Sequence, residues 1–276
     1  MQNNIQHTEK LKRIFVTGGA SGLGAAIAKK YAAQGYKVCI GDVNEERGLS
    51  VVETLTALGT EACYFHCDIT KVTDLEKVKV ALIEKWGGVD IVVNNAGVAG
   101  TAGPVEQVSM KDWEWVININ LLGVARGCKV FTELFKQQKS GYFINIASAA
   151  GLMNAPQMSG YNASKAGVIS ISETLAFELE QYNIGVSVVC PAFFKTNLTE
   201  SMKATQPSII NRVNKVMEYS KVSANDVAND IFTCQQKGNF WVLSHKPERN
   251  LWLLKRYIPF IFKRIMKKQM AKFINR

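Results

Sequence analysis

The chain is expected to fold as one α/β domain, a doubly wound, seven-stranded parallel sheet with helices on both faces. Three observations lead there. From Lys12 onward, short β-branched runs alternate with longer amphipathic stretches, the pattern of a parallel sheet covered on both sides. The length of 276 residues, 47% of them apolar, suffices for a single large core. No linker, repeat or low-complexity tract interrupts the chain before about residue 244, so a domain boundary has no natural place to fall.

The expected strands are Arg13–Thr17, Lys37–Asp42, Ala62–His66, Val89–Asn94, Gly141–Ala147, Ile184–Cys190 and Asn239–Leu243, each a short apolar run closed by turn-forming or polar residues. Helical periodicity falls between them, at about Gly22–Gln34, Glu45–Leu58, Thr73–Trp86, Met110–Gln138, Tyr161–Gln181 and Ser223–Gln236. The stretch Phe193–Tyr219 is the least regular. It follows a strand end, where loops in doubly wound folds cover the ligand crevice. The expected division is a polar arm at 1–11, a single α/β domain at 12–244 and a basic amphipathic tail at 245–276.

The first strand runs into Thr17, Gly18, Gly19, Ala20, Ser21, Gly22, Leu23 and Gly24, and Ala25–Tyr31 then reads as the start of a helix. Strand, glycine turn and helix N-terminus together form a cradle for a pyrophosphate. Glycine lets the backbone approach the phosphates, and the free N–H groups and positive dipole end of the helix face the anion. Asp42 closes the second strand about twenty residues later, where a carboxylate can accept hydrogen bonds from adenosine ribose hydroxyls and repel a 2′-phosphate. Neither Ala20 nor Ser21 adds positive charge to the turn, so NAD is expected in preference to NADP. Arg47, just beyond Asp42, is the opposing signal: it could turn toward a 2′-phosphate or stay solvated.

The spacing of Gly18, Gly22 and Gly24 resembles the T-G-x-x-x-G-x-G motif of the short-chain dehydrogenase/reductase superfamily, whose domain is a Rossmann fold. Further likenesses follow in order: Asp68 and Ile69 after the third strand, the run Asn94, Asn95, Ala96 and Gly97 after the fourth, and Tyr161 with Lys165 as Y-x-x-x-K. The likeness covers about residues 12–243. It implies cofactor contacts from Gly18, Ser21, Gly22, Leu23, Gly24, Asp42, Val43, Asp68, Ile69, Asn95, Ala96, Gly97, Tyr161, Lys165, Phe194 and Thr196. It also implies catalytic roles for Asn120, Ser148, Tyr161 and Lys165. Asn118 competes with Asn120, but the Leu-x-Gly run after Asn120 continues the family pattern. Ala192 follows Pro191 where the family usually has glycine, so the local chain path there is open.

Tyr161 and Lys165 lie four residues apart at the start of a helical pattern and share one face. A free phenol titrates near ~10 and a nearby ammonium favours its phenolate, so Lys165 is expected to lower Tyr161 into the range of a general acid/base. Ser148, thirteen residues upstream, can hold the substrate oxygen. The expected reaction is hydride transfer between a secondary alcohol or ketone and NAD, with Phe193 and Phe194 as an apolar substrate wall or as core. A non-catalytic NAD sensor or scaffold is the rival reading. No G-x-S-x-G elbow or G-x-x-x-x-G-K-[S/T] loop supports hydrolysis or phosphoryl transfer.

The formal charge of +10 is concentrated. Residues 246–276 carry ten Lys or Arg against the single acid Glu248, and the rest of the chain is nearly neutral. Within the tail, Leu251, Leu254, Ile258, Ile261 and Ile265 recur at helical steps among the cations, and Pro259 divides the pattern into two short helices or one kinked helix. Two uses stay open: packing on the protein itself, or contact with an anionic membrane. Nucleic acid is disfavoured because the apolar face would have no purpose. Six scattered cysteines and three isolated histidines predict reduced core thiols, a cytoplasmic setting and no metal site. Nothing at the N-terminus reads as a signal peptide. The long helical segments Met110–Gln138 and Tyr161–Gln181 resemble the family's subunit-pairing helices, implying a homodimer or homotetramer.

Overall fold

The computed structural model describes residues 12–274 except 193, 195 and 196, so the expected arm at 1–11 and the proposed cofactor residue Thr196 lie outside the described residues. In the first half β1 (Arg13–Thr17), α1 (Gly22–Ala32), β2 (Lys37–Asp42), α2 (Glu45–Ala57), β3 (Ala62–His66), α3 (Val72–Trp86) and β4 (Ile91–Asn94) follow one another. Then come a two-residue strand β5 (Thr101–Ala102), α4 (Met110–Ile117), α5 (Gly123–Gln138), β6 (Gly141–Ile146), a short α6 (Ala149–Met153), α7 (Ser159–Glu180) and β7 (Ile184–Val189). The chain closes with a second two-residue strand β8 (Lys203–Ala204), α8 (Pro207–Glu218), α9 (Ala224–Gln236), β9 (Trp241–Val242), α10 (Lys246–Tyr257) and α11 (Pro259–Ile274).

Seven strands form one parallel sheet in the order β3-β2-β1-β4-β6-β7-β9. The two-residue alternation of a strand explains how one sheet feeds two cores. Phe15, Val92 and Phe143 point to the layer of α3, α5 and α7, with Leu82, Phe131 and Val168. Their neighbours Ile14, Val16, Val93 and Ile144 point to the layer of α1, α2 and α9, with Ile27, Leu55 and Ile231. The order in which the chain adds strands reverses between β1 and β4, and that switch point opens the crevice at their C-terminal ends.

Local chemistry sets several boundaries. Asn44 caps α2 by accepting the Arg47 amide at 3.0 Å, Ser223 and Asp226 form a reciprocal capping box on α9, and Gly87 at φ +73° ends α3. Three sequence expectations need correction. The continuous helix over Met110–Gln138 is divided by a π-turn at Asn118–Leu122, an insertion that turns Asn120 inward. The stretch Phe193–Tyr219 is more ordered than its irregular sequence suggests, containing a 3-10 turn at Asn197–Ser201 together with β8 and α8. Two-residue strands carry no periodicity, so the pairing of β8 with β5 is invisible locally. The last strand shrinks to Trp241–Val242 because only those residues find partners on β7. In the tail, the backbone breaks at Ile258 ahead of Pro259 and gives two helices.

Candidate active site

The glycine turn stands where β1 meets α1. Gly18 holds φ +64°, and an added Cβ would lie 2.8 Å from Ala96 Cα. At Gly24 a Cβ would lie 2.0 Å from the Gly18 carbonyl oxygen. Only glycine permits this fold of the turn. The first bond to an amide inside α1 runs from Ala25 to Ser21 at 3.1 Å, so the amides of Gly22, Leu23 and Gly24 lack intrahelical acceptors and form the open positive end of the helix.

Asp42 fastens this turn to the end of β2. Its carboxylate accepts the Ala20 amide at 3.0 Å and the Asn44 amide at 3.0 Å, and each oxygen keeps a lone pair for a ribose hydroxyl. Arg47 points across the crevice to Glu200, 2.9 Å away in the turn after β7, and Asp42 is near enough to act on the same guanidinium. Asp68 folds back on itself by accepting the Thr70 amide at 2.9 Å and hydroxyl at 2.7 Å. Burial pushes its carboxyl up, and Thr70 and Lys71 outweigh that and hold it below the usual range.

The asparagines after β4 divide their work. Asn94 is buried inside the sheet and donates to Asn145 Oδ1 at 2.8 Å, so it crosslinks β4 to β6. Asn95 turns back to the glycine loop, donating to Thr17 O at 2.9 Å and Gly18 O at 3.1 Å. Gly97 opens onto the reaction centre, where a Cβ would lie 3.0 Å from Asn120 Oδ1 and 3.6 Å from Lys165 Nζ. Asn120 is wholly buried. It accepts the Val98 amide at 2.8 Å and donates to Val98 O at 2.9 Å and Ser164 Oγ at 3.2 Å. Leaving such groups unpaired would cost roughly 1–3 kcal/mol each. Asn118 is instead held by Arg126, which donates to its side chain at 2.6 Å and to its carbonyl at 3.0 Å.

Ser148 leaves β6 in extended conformation and caps α6 through the Ala150 amide at 3.1 Å. Its hydroxyl is near enough to the phenol of Tyr161 to pull the phenol's pKa down, and it donates to Pro191 O at 3.3 Å. Tyr161 and Lys165 come from one face of α7, with Lys165 Nζ 5.8 Å from the phenol ring centre. The ammonium is buried and donates to Ile146 O at 2.9 Å. Burial lowers its pKa to about 8, opposed by the Cys190 sulfur, and the thiol of Cys190 is itself pushed up to about 12 by burial. Burial also raises Tyr161, with Ser148 pulling the other way. The expected lowering of the phenol by Lys165 is therefore corrected: desolvation disfavours both charged forms and raises the phenol.

Residues 12–207 match the short chain dehydrogenase family. A "CLA biosynthesis dehydrogenase/reductase" of Lactiplantibacillus plantarum is 30% identical over 259 residues, spanning 87% of this chain and 90% of the relative. A "3-oxoacyl-[acyl-carrier-protein] reductase" of Synechocystis is 35% identical over 191 residues, 69% and 77% of the two chains. Among solved structures, a short chain dehydrogenase/reductase from Burkholderia phymatum in complex with NAD superimposes with a TM-score of 0.84 at 32% identity, covering 89% of this chain and 92% of that one. The chain belongs to the short-chain dehydrogenase/reductase family. It is an oxidoreductase with a nicotinamide dinucleotide site on a Rossmann fold.

As a short-chain dehydrogenase/reductase, the protein brings Asn120, Ser148, Tyr161, Lys165 and Gly97 to one place, beside the switch point that carries the glycine turn. Other residues named from the likeness lie in different surroundings. The side chains of Leu23 and Ile69 are buried in the two cores, and Val43 is 60% exposed. Phe194 is not substrate wall: it is buried in the core with its ring 6.1 Å from His245. The departure at Ala192 has a partner, since its amide donates to His245 Nδ1 at 3.2 Å. Local reading missed Ser164, which supports Asn120, and an apolar cluster of Ala99, Ala102, Met158, Met202 and Ile209 that packs beside Tyr161. Its members come from four separate stretches, so no local pattern announces it.

Proposed function

We propose that the protein interconverts a lipophilic secondary alcohol and its ketone, with NAD in preference to NADP. The observation that carries this reading is the convergence of Ser148, Tyr161 and Lys165 beside Gly97, where a Cβ would crowd Asn120 and Lys165. The glycine turn fits a dinucleotide because its tight spots exclude any Cβ and its helix end presents free amides. When bound, the nicotinamide accepts or supplies the hydride. Ser148 holds the substrate oxygen and stabilises the charge developing on it. Tyr161, kept protonated by burial, gives its proton to the ketone oxygen during reduction, and in the other direction its phenolate takes the proton of the alcohol. Lys165 would hold the ribose hydroxyls of the bound dinucleotide and help restore the proton, and Asn120 holds the backbone at Val98 beside it.

The apolar cluster around Met158 and Met202 supports a lipophilic substrate, as does the acyl substrate in the name of the Synechocystis relative. Asp42, paired with two backbone amides at the adenosine end, supports NAD. Six free cysteines support a reduced, cytoplasmic setting. Phe177, 80% exposed on α7, supports pairing of that helix between subunits. The test follows NADH absorbance while secondary alcohols and ketones of increasing chain length are offered to wild type and Tyr161→Phe. Turnover by wild type and a loss of roughly 10²–10⁴-fold in the variant, with NADH still bound, are expected. Near-normal turnover by the variant refutes the assignment, and a wild type that binds NADH but turns over nothing favours the sensor reading.

A further inference from the structure

The tail forms a surface that neither cofactor nor substrate explains. α10 is fastened to the body: Trp252 lies 5.0 Å from Trp241, and Lys255 Nζ donates to Leu152 O at 2.5 Å. An open groove of about 290 Å³ lies between α10 and the helices α6 and α7, and none of the four catalytic residues lines it. α11 leans on α10 alone, with Phe262 under Lys255 Nζ at 5.9 Å, and makes no comparable contact with the body among the described residues. Around the elbow between the two helices, Tyr257 is 72% exposed, Phe260 72%, Ile261 40% and Ile258 37%. Exposed Lys263, Arg264, Lys267 and Lys268 follow directly.

We infer that this elbow and the basic face of α11 dock the protein on an anionic lipid surface. Aromatic and aliphatic tips beside a row of cations are the two components of interfacial binding: the rings enter the headgroup boundary and the ammonium groups meet lipid phosphates. A second copy of this chain fits worse. A symmetric contact sets one basic tail against another, and the rest of the chain, with twenty-three basic and twenty-two acidic residues, has no net negative charge to offer. A nucleic acid would leave the exposed rings without a partner. The sixteen residues of α11 extend about 24 Å at 1.5 Å each, less than a ~30 Å hydrocarbon core, and no described helix is long and apolar enough to cross a membrane. Because α10 is anchored on α6, the helix that begins next to Ser148, docking sets the catalytic crevice close to the lipid interface.

The inference is independent of the redox reading, because its test needs no turnover. The full chain is sedimented with vesicles of phosphatidylglycerol and phosphatidylcholine, and with phosphatidylcholine alone, at low and high salt. Phe260→Ser/Ile261→Ser and Lys263→Gln/Arg264→Gln/Lys267→Gln/Lys268→Gln are compared with wild type, and NADH binding checks that each is folded. Expected are about tenfold more wild type on the anionic vesicles, release by high salt as screening shortens to ~3 Å at 1 M, and about tenfold loss in either variant. Wild type remaining in the supernatant, equal binding to neutral vesicles, or undiminished binding by the quadruple Gln variant overturns it. So does an unchanged vesicle fraction for Phe260→Ser/Ile261→Ser accompanied by loss of self-association, which assigns the elbow to a second copy.

Discussion

Lys165 has its ammonium enclosed behind β6, with the Ile146 carbonyl as its hydrogen-bond acceptor, and that placement has a measurable effect on stability. Its pKa falls from 10.5 to about 8. Below pH 8 both folded and unfolded chains carry the proton, and the folded chain bears the whole desolvation penalty. Between pH 8 and 10.5 the folded chain sheds the proton while the unfolded chain keeps it, so stability rises with pH; above that range the penalty is gone. A shift of this size corresponds to about 3 kcal/mol. Lys165→Met keeps most of the volume and removes the charge, while losing a hydrogen bond that contributes about 1 kcal/mol at every pH. The variant should therefore be more stable than wild type by about 2 kcal/mol at pH 7, and its advantage should vanish near pH 10. Urea unfolding of both proteins at the two pH values gives the difference directly, because titrations common to both cancel. A difference that does not change with pH, or a wild type that is the more stable at pH 7, refutes the argument that burial dominates at Lys165.

Cofactor choice should respond at two positions. Asp42→Ser should narrow the preference for NADH by removing repulsion at the 2′ position, and Glu200→Gln should raise NADPH affinity because it frees Arg47 from its partner across the crevice. Dissociation constants by fluorescence titration test both, and tighter NADPH binding by wild type would contradict the assignment. Assembly should be dimeric or tetrameric by light scattering, with Phe177→Lys shifting it toward monomer by placing a charge on the exposed face of α7. A monomeric wild type at micromolar concentration removes that proposal.

Much of the architecture is written locally. Val, Ile and Phe runs such as Ile14–Val16 place alternate residues in two cores wherever both faces of a sheet are covered, and Asn44 and Ser223 announce helix starts with groups that satisfy nearby amides. The glycine turn, Asp42 and the Tyr161–Lys165 pair could be read for the same reason: each depends on spacing within one or two adjacent elements. What packing alone decides involves partners far apart in the chain or exclusion of water. Asn118 and Asn120 look alike until Arg126 takes one and Val98 the other. Asn95 serves the glycine loop because the sheet sets β4 beside β1. Arg47 faces Glu200 across 153 positions, and β5 pairs with β8 across about a hundred. The charge states of Tyr161 and Lys165 follow from desolvation, a property of the assembled interior, which is why spacing predicted a lowered phenol and the folded site raises it.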